Sequence, residues 1–243
     1  MFASQPGSTV NKTVALIYVI AVAMFLRAWA VFMLPEDYDE PVYLQVAFDY
    51  ADALRHGDFN AVIDNPEVHE HPALVKLAYS AVILGLGKAA TYVNAFYASR
   101  AASALFGIVA VILLAILDPI AGGMLAVHTL AIKYTSQVYL EAIPHALTIA
   151  AVLSFLRTSE ERPNKWFWLS ALALGAATAG KFTYIPVIAI VIAYLAFFEK
   201  KMSVPWMIIY SLVAGMTFYA LDVTLWHDSF SRLFGALTYH VNY

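Results

Sequence analysis

A chain of 243 residues that is 62% hydrophobic and only 13% charged, at a mean hydropathy of +0.71, carries more apolar surface than a soluble domain of its size can bury. It has no cysteine, which excludes a disulfide framework and a thiolate metal site, and its 14 lysines and arginines form no basic stripe to track a phosphate backbone, which excludes nucleic acid as a partner. The net charge of −3 points to no partner.

The first apolar run is 14–34. Residues 14–26 have the length of a signal-peptide core, and Ala28-Trp29-Ala30 imitates a cleavage site. Arg27 stands just before that site and the run resumes through Leu34, which favours a retained anchor. Further runs lie at 101–117, 120–132, 143–156, 166–179, 182–198 and 204–221. Each is near, or somewhat short of, the roughly 20 residues that cross a bilayer core as a helix. The expected fold is an all-α integral membrane protein of about seven transmembrane helices. It forms a single polytopic domain over 1–243: a first span at 13–34, an external loop at 35–100, the remaining spans at 101–221 and an external segment at 222–243.

Loop charges set the orientation. Lys12 precedes the first span, Arg157, Arg162 and Lys165 cluster in one connection, and Lys200 and Lys201 lie in another, so the N-terminus and both loops are expected to be cytoplasmic. This parity requires that 73–87, a weakly apolar segment interrupted by Lys76, does not cross but lies in the outer interface. Residues 41–54, with Val42, Val46, Tyr50 and Ala53 on one face, are expected to form a second interfacial helix. Asn11-Lys12-Thr13 matches a glycosylation sequon, but on the cytoplasmic side it is incidental.

On this topology Glu36, Asp37, Asp39, Glu40, Glu70, His71, Glu141, Lys181, Arg232 and His240 gather on the external side. Charges beside apolar helix ends are costly unless they line an aqueous cavity. Asp39-Glu40, followed by Pro41 at a helix start, fixes two carboxylates at the bilayer surface. They could supply a general base, hold a divalent cation, or simply favour the helix dipole. Glu141 opens an apolar run, and its expected partner is Lys181, between two apolar runs at the same depth. That pair is either structural or a site where Lys181 faces an anionic phosphate.

These residues carry a resemblance to a family. Asp39-Glu40-Pro41-Val42-Tyr43 resembles the acidic signature after the first span of the GT-C membrane glycosyltransferases, of the protein O-mannosyltransferase and aminoarabinose-transferase type. Arg55-His56-Gly57-Asp58-Phe59 and His69-Glu70-His71-Pro72 resemble the elements that follow, and Ala98-Ser99-Arg100-Ala101 is similar to the arginine-bearing entry to the second span. Val138-Tyr139-Leu140-Glu141, Ala179-Gly180-Lys181 and the segment from Trp226-His227-Asp228 to Tyr239-His240 resemble later motifs in the same order. Two positions depart: Glu141 stands where many relatives carry aspartate, and His71 where the aminoarabinose enzymes carry lysine. Members of the family also run on for several spans beyond the point that matches Tyr243.

The resemblance implies an inverting glycosyltransferase that moves a sugar from a polyprenyl-phosphate donor to a protein, lipid or glycan acceptor on the extracytoplasmic side. Asp39, with Glu40, would be the catalytic pair, Asp39 acting as base. Lys181, His240 and Arg100 would hold the donor phosphate, and Glu70, His71, Glu141 and Tyr43 would orient substrate. No cofactor is required, although a divalent cation would fit the carboxylates. Two other classes remain open: a non-catalytic membrane subunit or truncated lipid-phosphate-binding homologue, and a transporter using Glu141 and Lys181 as a relay.

Overall fold

The computed structural model describes residues 8–65, 71–158, 163–199 and 202–242, and all regular structure among them is helical. Three helices are long and apolar enough to cross a membrane and mark the chain as a membrane protein: 12–33 within α1 (Ser8–Met33), α5 (Tyr92–Leu117) and α11 (Val204–Leu221). On α1, Ile17, Phe25 and Phe32 are 61, 68 and 64% exposed, a face that suits lipid rather than water.

Between α1 and α5 lies a layer of short helices. α2 (Glu40–His56) starts at Asp39 with Pro41 in its first turn and stops at Gly57, whose φ of +71° is the left-handed cap that glycine adopts without strain. α3 (Phe59–Ile63) is capped by Asp58, and α4 (Leu74–Leu86) packs on α2. Tyr43, Leu44, Ala47, Val75, Tyr79 and Ile83 of this layer form a core with Phe96 and with Val138 to Ile143. Of the face expected on α2, Val46 and Tyr50 are buried, but Val42 is 40% exposed.

The other apolar runs become shorter helices. The run at 120–132 does not make one straight helix: it divides into α6 (Pro119–Val127) and α7 (Thr129–Tyr134) at His128, whose backbone is extended. His128 leaves the helix because its Nδ1 accepts the Ala131 N–H and so caps α7, while Asp118 and Pro119 start α6. α8 (Ala142–Leu156), α9 (Lys165–Gly180) and α10 (Ile185–Phe197) follow, and α12 (Ser229–Asn242) ends the described chain.

α5 begins nine residues before the start expected at 101, because Thr91 caps it by accepting the Asn94 N–H and the helix runs straight through Arg100. α1 packs on α5 and α6, α5 on α8, α8 on α9, and α9 on α11. The α9 interface is built from Ser170, Ala171, Gly175 and Ala177, small residues that let backbones approach; a Cβ on Gly175 would collide with the Ala214 carbonyl of α11. Ser170 Oγ donates to the Ala151 carbonyl at 2.7 Å and sits 2.8 Å from the Tyr210 hydroxyl, joining three helices by hydrogen bonds.

Candidate functional site

The C-terminus of α1, the N-terminus of α2, the first third of α5, the loop at 135–141 and the facing ends of α8 and α9 converge at one end of the bundle. Glu40 sits at its centre, 0% exposed. Its oxygens accept from Arg100 Nε at 2.8 Å and Nη2 at 2.5 Å, from the backbone N–H of Val138 at 2.7 Å and of Asp37 at 2.9 Å, and from Gln137 Nε2 at 3.2 Å. Arg100, 1% exposed, completes its donor set on the carbonyls of Val31, Leu34 and Pro35, at 2.9–3.0 Å.

The five N–H groups of a guanidinium are thus engaged inside the protein, leaving Arg100 none for a phosphate. Glu40 is equally committed. The sequence places both residues at the reaction, one as a catalytic carboxylate and one as a phosphate ligand; in the structure they are a clamp that fixes the segments around it.

Asp39 is different. It precedes Glu40 at the start of α2, half-buried, and its carboxylate makes no capping hydrogen bond. Beside it, Asp37 pairs with Lys133 at 2.8 Å, and this contact, with the nearby Tyr139 hydroxyl, holds the Asp37 carboxyl below the usual carboxylate range. The Tyr139 hydroxyl is pushed well above the ordinary tyrosine value, first by burial and then by Asp37. Tyr139 packs edge-on against Tyr134 and Tyr43, and Tyr43 in turn against His71. Tyr43 is 7% exposed, so its ring works as core support.

Two residues further on, Glu141 opens α8 and accepts from Lys181 Nζ through Oε1. Lys181 follows α9 with an extended backbone, where the helix breaks after Gly180. The pair expected from the sequence is present, four-fifths buried on each side. Glu141 Oε2 has no hydrogen-bond partner within the protein among the described residues. The same holds for His145 Nε2, one turn along α8. Both residues line a cavity of about 270 Å³ with His128, Tyr134, Thr135 and Tyr184.

A separate cluster docks the segment after α11 onto the first loop. Asp222, 1% exposed, accepts from the Ala73 N–H at 3.0 Å and the Thr224 hydroxyl at 2.7 Å, and burial raises its carboxyl above the usual range. Arg232 bridges Asp64 at 2.6 Å and the carbonyls of Ile63 and Thr224. Lys76, fully buried, donates to the His71 carbonyl at 2.9 Å.

Glu70 lies outside the described residues, as does the side chain of His240, whose backbone belongs to α12. Among the described residues no three histidine, aspartate or glutamate side chains come together as metal ligands. Sequence reasoning missed Gln137, His128, His145, Tyr134 and Tyr184. It met Arg27 only as an obstacle to signal cleavage, although an arginine inside an apolar span is itself a flag for a polar site. No family model, no curated protein and no solved structure matches the chain.

Proposed function

We propose that the chain acts as a membrane glycosyltransferase that takes a sugar from a polyprenyl-phosphate donor and gives it to an acceptor at the outer face. One observation carries this reading. The Glu40–Arg100 clamp anchors the start of α2 rigidly while leaving the adjacent Asp39 carboxylate uncommitted among the described residues, at the same end as Glu141 and Lys181. A fixed, uncommitted carboxylate is what removal of a proton from an acceptor hydroxyl needs. The acceptor oxygen would then attack the anomeric carbon as the bond to the phosphate oxygen breaks. The phosphate would leave with that electron pair, its growing charge met by Lys181.

This reading requires about seven crossings, counting α6 with α7 as one and adding α8, α9 and α10. It also requires that α2, α3, α4 and α12 lie outside. The absence of cysteine makes the test simple. A cysteine at exposed Asn60 should label with a membrane-impermeant thiol reagent from outside intact cells, and one at exposed Lys165 only after permeabilisation. Labelling of both from one side would refute the arrangement.

The function of Lys181 separates from its pairing in a double variant. Lys181→Met alone should destabilise the protein by leaving a buried carboxylate unpaired, and Glu141→Gln in the same chain should restore the unfolding temperature. If Lys181 holds the phosphate, the restored double variant should still bind lipid phosphate roughly tenfold or more weakly than wild type. Equal affinity removes Lys181 from the donor site.

A second reading has one observation in its favour. Phe230 and Phe234 stack on α12 and are 83 and 60% exposed, a face that also suits a non-catalytic subunit seated on a partner. Transfer activity from the purified chain alone would dismiss it.

A further inference from the structure

We propose that the cavity beneath the Glu141–Lys181 pair receives the phosphodiester of the donor, with Arg27 as its counter-cation and His145 as its hydrogen-bond donor. The proposal rests on the transferase reading above and adds the residues that take the headgroup.

Arg27 lies within the apolar span of α1 and is 1% exposed. Its Nε donates to Thr135 Oγ1 at 3.2 Å and its Nη1 to the Ala126 carbonyl at 3.3 Å, both neutral acceptors. Among the described residues it has no carboxylate partner, in contrast to Arg100, which has Glu40. A guanidinium at this depth is costly unless an anion meets it. Thr135 is itself part of the cavity wall, so Arg27 stands directly behind that wall. Gly107 makes room for this arrangement, since a Cβ there would collide with both Thr135 and Arg27.

The opposite wall supplies the remaining chemistry. Glu141 Oε2 and His145 Nε2 are buried polar atoms without hydrogen-bond partners among the described residues, set one helical turn apart at the start of α8 and both lining the cavity. Such atoms are rare in folded proteins and point to an outside group that satisfies them. One is an acceptor and the other, in the Nε2–H tautomer, a donor. With Lys181 and Glu141 cancelling, Arg27 leaves one positive charge in excess around the cavity. A glycosyl phosphodiester matches each feature. Its anionic oxygens accept from His145, its single negative charge balances that of Arg27 behind Thr135, and a sugar hydroxyl donates to Glu141 Oε2.

The volume of about 270 Å³ lies just under the ~300 Å³ at which small-molecule cavities begin. That fits a headgroup and not a lipid. The rim explains where the tail goes: Leu125, Leu130 and Ala131 complete the lining, and Leu130 is 57% exposed.

Binding to the purified full chain in detergent decides the matter, with farnesyl phosphate, farnesol and inorganic phosphate as probes. Wild type should bind farnesyl phosphate and raise its unfolding temperature with it, and should bind the other two at least tenfold more weakly. Arg27→Gln should weaken farnesyl phosphate roughly tenfold or more. His145→Leu should weaken it several-fold while His145→Gln, which keeps an N–H donor, retains most of the affinity. If Arg27→Gln does not fold, the contrast between the two His145 variants is the deciding measurement. Equal binding of farnesol would reduce the site to a tail groove and overturn the proposal. Equal binding of inorganic phosphate would make it a site for the free ion and would likewise overturn it, as would wild-type affinity in the Arg27 and His145→Leu variants. Loss of transfer in Asp39→Asn alongside wild-type binding in these variants would sink the cavity and spare the transferase; the reverse pattern would sink the transferase alone.

Discussion

Arg100→Met is expected to destabilise the protein by about 3–5 kcal/mol, because it strands the fully buried Glu40 carboxylate without its charged partner. The loss extends beyond one ion pair. The same guanidinium holds the carbonyls of Val31, Leu34 and Pro35, so the turn from α1 into α2 loses its fixed point as well. Glu40→Met should cost a comparable amount, leaving Arg100 charged with only carbonyls to face and the Val138 N–H without its acceptor. The double variant should recover part of the loss, since two apolar side chains of similar volume can replace a buried pair. Thermal unfolding of the purified variants in one detergent measures all three. Single variants as stable as wild type would mean that the clamp contributes nothing to the fold.

Asp39→Asn is expected to behave in the opposite way, lowering turnover by roughly 10²-fold or more while stability stays within about 0.5 kcal/mol. The mutation keeps the shape of the side chain and removes only its ability to take a proton. Asparagine and aspartate serve equally at the start of a helix, and this carboxylate makes no capping bond that could be lost. Affinity for lipid phosphate should not change, because Lys181 belongs to another element. Sugar transfer by wild type and variant, each measured beside its unfolding temperature, provides the check. Unchanged turnover would remove Asp39 from the mechanism.

The adjacent carboxylates Asp39 and Glu40 show how far the sequence can be read. Pro41 declares the start of α2 through local chemistry, whereas the helix runs two residues past the end expected at 54 and stops at Gly57. Which of the two acids is structural is not local information. It depends on Arg100, 60 residues away, and on a backbone N–H at Val138, 98 residues away. For the same reason the polar stretch from Tyr92 to Arg100 reads as loop: its charge is tolerable inside a helix only because Glu40 meets it. Glu141 and Lys181 are legible as partners because each is too costly alone. The break at His128 is not, since hydropathy runs unbroken through it and only the imidazole's capping of Ala131 ends the helix.

The Asp222 contact bears on how such a chain is assembled. Ala73 and the carboxylate that receives its N–H are 149 residues apart in the chain, and a ribosome adding about 5–20 residues per second needs roughly 7–30 s to travel that distance. Through that interval the N-terminal turn of α4 has been synthesised without the side chain that later secures it. The first layer therefore closes last. On the topology proposed above, its early helices would wait at the bilayer surface as an open platform until the end of α11 emerges, and that delay would define the window in which insertion factors or quality-control proteases meet the unfinished molecule.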